Sequence, residues 1–257
     1  MHDQILNAHV FRALHAPGDP LILFNCWDAG SAKAVAAGGA RAIATSSWAV
    51  AAANGFADGE KLPRELAIAN LERIVRAVAL PVTVDLERGY GSTPDAVADT
   101  VTQAIRAGAV GCNLEDGAEG GGLRPAADQA RRLRAARDAA ERFGLPFYLN
   151  ARTDAFLQAA PADHTPALLE ATLERAQLYA THGADCLFVP GLADAALIER
   201  LVRASPLPVN LMAAAGTPPL ATLRALGVAR LSYGASPYIQ ALRGLGDAAR
   251  AAVGEAA

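Results

Sequence analysis

The chain is short of cysteine, of charge and of long apolar runs, and each shortage excludes something. Its three cysteines, Cys26, Cys112 and Cys186, each sit inside or at the end of an apolar stretch of a 257-residue sequence. An odd number of buried, widely spaced thiols is not a disulfide framework; it predicts reduced cysteines in a cytoplasmic protein. A net charge of −3 and a sequence pI near 6.0 offer no basic surface to nucleic acid or to an anionic membrane. No stretch reaches the roughly 18 uninterrupted apolar residues of a membrane span. The opening residues Met1-His2-Asp3-Gln4 lack the basic-then-apolar pattern of a secretory leader. No Gly-x-Gly-x-x-Gly follows an early strand, which removes the usual dinucleotide-binding sheet. What is present is a chain 52% hydrophobic and 19% charged, with 23 Gly and 15 Pro: a large core with many turns.

A repeating rhythm organises that core. Short apolar runs recur at Leu21–Asn25, Arg41–Thr45, Val82–Asp85, Val110–Glu115, Phe147–Asn150, Cys186–Val189, Val209–Met212 and Arg230–Tyr233. Amphipathic segments lie between them, among them Arg64–Val78 and Thr165–His182, and a further helix is expected over residues 4–16. Asp28 and Ser31 are placed to cap the helix that runs to Ala37. A Gly closes several of these helices just before the next strand (Gly108, Gly144, Gly183, Gly227), the pattern of a helix C-cap feeding a buried parallel strand. Eight strands, each followed by a helix, predict a (β/α)8 TIM-type barrel. Residues 1–257 read as one such domain with a short N-terminal helix.

Polar residues at the C-terminal strand ends of such a barrel line its mouth. The third strand ends in Asp85-Leu86-Glu87. Strand alternation would put both acids on one face, where they repel unless a proton or a cation separates them. Alone, such a pair is equally a solvated strand end. The fourth strand adds Glu115 and Asp116, the fifth Asn150 and Arg152, and the seventh Asn210. Acids from adjacent strands can converge on a hard divalent cation, and Arg152 can fork a carboxylate. Metal, Arg and backbone amides together suit an α-oxo or α-hydroxy acid whose developing enolate needs stabilisation.

The motifs Thr45-Ser46-Ser47-Trp48, Gly55-Phe56-Ala57-Asp58-Gly59, Asp85-Leu86-Glu87-Arg88-Gly89-Tyr90-Gly91, Asn113-Leu114-Glu115-Asp116 and Asn150-Ala151-Arg152-Thr153-Asp154-Ala155-Phe156 occur in one order along the chain. Together they resemble the isocitrate lyase / phosphoenolpyruvate mutase superfamily along nearly the whole length. The resemblance implies a Mg²⁺-dependent barrel (Mn²⁺ being an alternative ion) that makes or breaks bonds beside an α-oxo carboxylate through a pyruvate-like enolate. It assigns Asp85, Glu87 and Glu115 to the metal, partly through water. Asp58 matches an acid near that shell, so Asp58, Glu115 and Arg152 are the catalytic candidates. Ser46, Ser47, Trp48, Asp85, Arg152 and Asn210 are the substrate-binding candidates, with the Ser46 and Ser47 amides on the substrate carboxylate. It further implies a homo-oligomer, dimer or tetramer, whose last helices are exchanged, and the apolar stretch Tyr238–Val253 agrees with this.

Two regions depart from the family. Its lyases carry Lys-Lys-Cys-Gly-His after the fourth strand and its mutases Lys and Asn; here the loop is Gly117-Ala118-Glu119-Gly120-Gly121-Gly122-Leu123-Arg124-Pro125. After the sixth strand the mutases have His and the lyases Glu, where this chain has Val189-Pro190-Gly191. The chain therefore resembles an uncharacterised branch. A carbon–carbon lyase acting on a small α-oxo or α-hydroxy di-acid is the leading expectation. A phosphonopyruvate-type mutase or hydrolase, an oxo-acid decarboxylase and a non-catalytic keto-acid-binding barrel are the alternatives. Glu119, Tyr90 and a metal-bound water stand as candidates for the acid or base.

Overall fold

Eight short parallel strands close around a common axis: β1 (Leu21–Leu23), β2 (Ile43–Ala44), β3 (Val82–Asp85), β4 (Gly111–Glu115), β5 (Tyr148–Arg152), β6 (Cys186–Val189), β7 (Val209–Met212) and β8 (Arg230–Ser232). The computed structural model describes residues 2–255 and orders the strands β1-β8-β7-β6-β5-β4-β3-β2. Met1, Ala256 and Ala257, which the sequence reading included in its single domain, lie outside the described residues. The seam between β1 and β2 is closed by a parallel bridge between Cys26 and Thr45. Asn25 fastens the same seam. Its Nδ2 donates to the Thr45 carbonyl at 2.8 Å, and its Oδ1 accepts from the Tyr233 and Gly234 amides at 2.9 and 3.0 Å. The expected (β/α)8 barrel is the fold observed.

The helices are α1 (His2–Ala13), α2 (Ala29–Ala37), α3 (Ser47–Ala53), α4 (Arg64–Ala77), α5 (Pro94–Arg106), α6 (Ala126–Glu141), α7 (Ala155–Gln158), α8 (Pro166–Thr181), α9 (Ala195–Ala204), α10 (Leu220–Ala225) and α11 (Ser236–Glu255). The cap on α2 is the expected one: the Asp28 carboxylate accepts from the Ser31 amide while the Ser31 hydroxyl accepts from the Asp28 amide. At α8 the Thr165 hydroxyl accepts from the Leu168 amide, a one-way cap. α5 presents Val97, Thr100, Val101, Ala104 and Ile105 to the barrel, and each buried Val or Ile contributes about 1.5–3 kcal/mol. The sequence reading missed α3 and α7, two short helices placed directly after β2 and β5.

The barrel floor is plugged by α1. Phe11 and His15 are buried there, the His15 ring stacked on Tyr148 at 4.0 Å with its Nδ1 on the Phe11 carbonyl at 2.8 Å. Burial, then the charges of Arg230 and Arg12, push the imidazole down to about 3 from its ordinary 6.5. A folded-state value below the unfolded one means that the unfolded chain takes up the proton first. Stability is therefore full above about pH 6.5 and falls through pH 3 as the solution is acidified. Between pH 6 and pH 4 this residue alone is expected to cost roughly 2–3 kcal/mol. Urea unfolding at the two pH values should show that difference reduced by about this amount in His15→Phe; identical acid losses would contradict it.

The last helix is the exception to the packing. From Gln240 to Gly254 every residue of α11 is exposed except the partly covered Gly246, and Leu242 and Leu245 are 46% and 66% exposed. An eighth barrel helix would ordinarily lie between α10 and α2. That space is instead an apolar groove of about 910 Å³, walled by Ile22, Phe24, Ala34, Val35 and Pro237 and edged by Arg224.

Candidate active site

Asp85 ends β3 and is the pivot of the mouth. Its backbone amide donates to the Thr45 hydroxyl at 2.9 Å, and its Oδ2 accepts from the Ser47 hydroxyl at 2.7 Å and the Ser47 amide at 3.2 Å. Its Oδ1 is buried with no hydrogen-bond partner. A buried carboxylate oxygen left unpaired is costly, and a cation is the natural way to satisfy it.

Glu87 reaches this neighbourhood by a route that strand alternation did not foresee. β3 ends at Asp85, and Glu87 lies in a turn at φ +51°, closed by a hydrogen bond from the Gly89 amide to the Leu86 carbonyl. Its Oε2 accepts from the Glu60 amide at 2.5 Å and its Oε1 from the Tyr90 hydroxyl at 3.3 Å. Glu60 in turn accepts from the Tyr90 amide and pairs with Arg88 at 3.2 Å. Glu60, Glu87 and Tyr90 are the non-glycine residues in the left-handed region among the described residues, and all three belong to this cluster. Such conformations cost of order 1–3 kcal/mol each and gather at functional sites. From below, the buried Arg132 of α6 donates to the Arg88 and Gly91 carbonyls and fixes the turn.

Glu115 ends β4 and pairs with Arg152 of β5 at 2.8 Å. The Asp154 carboxylate receives the same guanidinium in a fork, Nε at 2.6 Å and Nη2 at 3.1 Å. Burial, followed by Asp154, Asp85 and Glu87, pushes Glu115 up to about 8 even against Arg152. Burial and then Asp85 push Glu87 up to about 7. Asp58, in the turn after α3, is raised by burial and by Asp85, with the Gly59 amide opposing.

A cavity of about 160 Å³ opens at the mouth between Ser46, Ser47, Trp48, Asp58, Asp85 and Arg152, with Phe188 and Met212 on its other side. The structure thus brings together six of the nine residues singled out from sequence, and places the other three differently. Asn210 is wholly buried below the cavity, its Oδ1 accepting from the Ser232 hydroxyl at 3.3 Å. Glu87 and Glu115 adjoin the lining without entering it. Neither serine amide is free for a substrate carboxylate: that of Ser46 donates to the Cys26 carbonyl to close the barrel, while its hydroxyl caps α3, and that of Ser47 donates to Asp85 Oδ2 at 3.2 Å.

Among the described residues no three His, Cys, Asp or Glu side chains converge on one point. The donor chemistry nevertheless fits a hard divalent cation: an unpartnered Asp85 oxygen, with two acids beside it raised first by burial and then by the neighbouring carboxylates. Asp85 would hold such an ion and Glu87 and Glu115 would surround it.

Asp116 faces away from the mouth. It accepts from Tyr179 at 2.8 Å, Arg175 at 3.1 Å and the Asp154 amide at 2.9 Å, and so ties α8 to the end of β5. The following loop is a small hairpin with Gly117 bridged to Leu123, and its neck is fixed by the Arg124 amide on the Asp116 carbonyl at 2.8 Å. Glu119 is exposed at its tip. Tyr90 donates to Glu87, and burial raises its phenol above the usual range. Sequence reasoning missed Glu60, Arg88 and Asp154, the residues that hold Glu87 and Arg152 in place. Asp154 stands two residues after Arg152, and that spacing was the one signal available.

Residues 11–253 match the family described as phosphoenolpyruvate phosphomutase. A crystal structure of a candidate phosphonomutase from Burkholderia cenocepacia J2315 superposes with a TM-score of 0.95 at 55% identity, covering 97% of this chain and 99% of that one. An uncharacterised protein of Mycobacterium tuberculosis is 37% identical, covering 94% of this chain and 88% of its own. The 2-methylisocitrate lyase of Salmonella typhimurium is 32% identical, over 89% of this chain and 78% of the enzyme. With the match running from the end of α1 into α11, the chain belongs to the phosphoenolpyruvate mutase / isocitrate lyase superfamily.

Proposed function

We propose that the protein is a divalent-metal-dependent lyase, using Mg²⁺ or Mn²⁺, that breaks the carbon–carbon bond beside an α-oxo or α-hydroxy carboxylate. The observation that carries this reading is Asp85, held on one oxygen by Ser47 and unpartnered on the other, in the lining of the cavity that also contains Arg152. When bound, the metal supplies a Lewis acid that stabilises negative charge on the oxo oxygen. Arg152, oriented by Asp154 and Glu115, balances the substrate carboxylate. Asp58 takes the proton of the hydroxyl on the departing carbon. The carbon–carbon bond breaks as that oxygen forms a C=O, so the departing carbon leaves as a carbonyl compound; the bond's electrons become a pyruvate-like enolate, and the proton returns from Asp58 to the enolate carbon.

The alternatives fit less well. A phosphonate dianion wants more than the one guanidinium in the lining. A binding-only barrel would have no use for acids held near neutrality beside a fixed Arg. Screening 2-oxo and 2-hydroxy acids for pyruvate release, with and without a chelator, tests the reading. Release that a chelator abolishes is expected; release indifferent to the chelator would overturn it.

The same reading includes a homo-oligomer. The exposed apolar face of α11 and the groove of about 910 Å³ between α2 and α10 complement each other, so α11 of one copy fills the groove of another.

A further inference from the structure

We infer that the substrate is a mono-acid: one α-oxo or α-hydroxy carboxylate followed by an uncharged, apolar remainder, against the di-acid expected from sequence. The inference rests on the metal-dependent reading above and narrows it. Arg152 is the one cationic side chain among the described residues that line the cavity, against two acids, Asp58 and Asp85. Those three side chains leave the lining one charge negative. A divalent cation would turn that into one positive charge, enough for a single carboxylate. Arg152 has little to spare, because Glu115 and Asp154 already take its Nη1, Nε and Nη2.

A second carboxylate would need a cation from elsewhere, and the surrounding elements do not provide one. The segment after β6 could carry such a group only on a side chain. Gly191 there sits at φ +89°, and a Cβ added to it would lie 2.8 Å from the Phe156 and Leu157 backbone, so no side chain fits. The hairpin after β4 has two charged residues. Glu119, at its tip, would bring a further negative charge on closing. Arg124 belongs to the neck, its amide on the Asp116 carbonyl at 2.8 Å, and its side chain stays out of the lining, close enough to Arg132 of α6 for the two charges to repel. Beyond the two serines and the charged groups, the lining is Phe188, Met212, Gly234 and Ala235 with the uncharged Asn25, Asn113 and Ser232, and the half-exposed Trp48 at the rim. Apolar atoms gain by contact with Phe188 and Met212, whereas a carboxylate there would lose its water without a cation to pair with.

Calorimetry with Mg²⁺ and a matched pair of five-carbon ligands, 2-oxopentanoate and 2-oxoglutarate, tests this, with oxalate as the control. The two differ in a terminal methyl against a terminal carboxylate. At least ten-fold tighter binding of 2-oxopentanoate is expected, and Met212→Arg should move the ratio at least ten-fold toward 2-oxoglutarate. If oxalate binds but 2-oxoglutarate equals or exceeds 2-oxopentanoate, the mono-acid inference falls and the metal-dependent reading stands. If oxalate also fails to bind, both fall. A ratio unmoved in Met212→Arg would overturn the assignment of this wall to the substrate tail.

Discussion

Asp85→Asn is expected to lower kcat/KM for pyruvate release by at least about 10³-fold, roughly 4 kcal/mol of transition-state stabilisation. The substitution is chosen because it separates charge from architecture. An amide oxygen still accepts the Ser47 hydroxyl, now at 2.7 Å on Oδ2, so α3 stays attached to β3. The negative charge is what disappears, and with it the reason for a cation to sit beside Glu87 and Glu115. Both acids are raised by burial first and by Asp85 as well, so neutralising Asp85 also relaxes them. Thermal unfolding should therefore change little while turnover collapses. A variant that keeps more than a tenth of wild-type activity would show that Asp85 is a structural acid.

The second large effect concerns assembly. Leu242 and Leu245 of α11 are exposed in the single chain, so Leu242→Glu with Leu245→Glu is expected to leave the protomer's buried core intact. In an oligomer built by exchanging α11, burying the exposed part of the four leucines of a pair of chains would contribute roughly 3–7 kcal/mol. Replacing them with carboxylates should weaken association by at least ~10³-fold. Light scattering after size exclusion is expected to give the variant the 26.5 kDa mass of one chain and the parent protein a multiple of it. Equal masses for the two would contradict the exchange.

The barrel was legible because its signals are local. An apolar run ending in an acid or an Arg fixes which residues stand at the mouth, and Asp85, Glu115 and Arg152 are where their strands put them. The loops resisted because their geometry is tertiary. Nothing in Asp85-Leu86-Glu87 announces that the strand stops at Asp85 and that Glu87 turns left-handed to meet the Glu60 amide from another loop. Depth resisted as well: Asn210 faces the barrel axis as expected, but one layer too low to reach the cavity. Ser46 carries the right motif, yet its amide is claimed by barrel closure, a demand visible only once β1 and β2 meet. For α11 the apolar face was readable; which chain covers it is not written in the pattern of that helix.

The most direct test of the central claim is a calorimetric titration of oxalate into the protein, with Mg²⁺ and then with a chelator. The account predicts one saturable site per chain that requires the metal and is lost in Asp85→Asn. Oxalate binding that ignores the metal, or survives unchanged in Asp85→Asn, would contradict it.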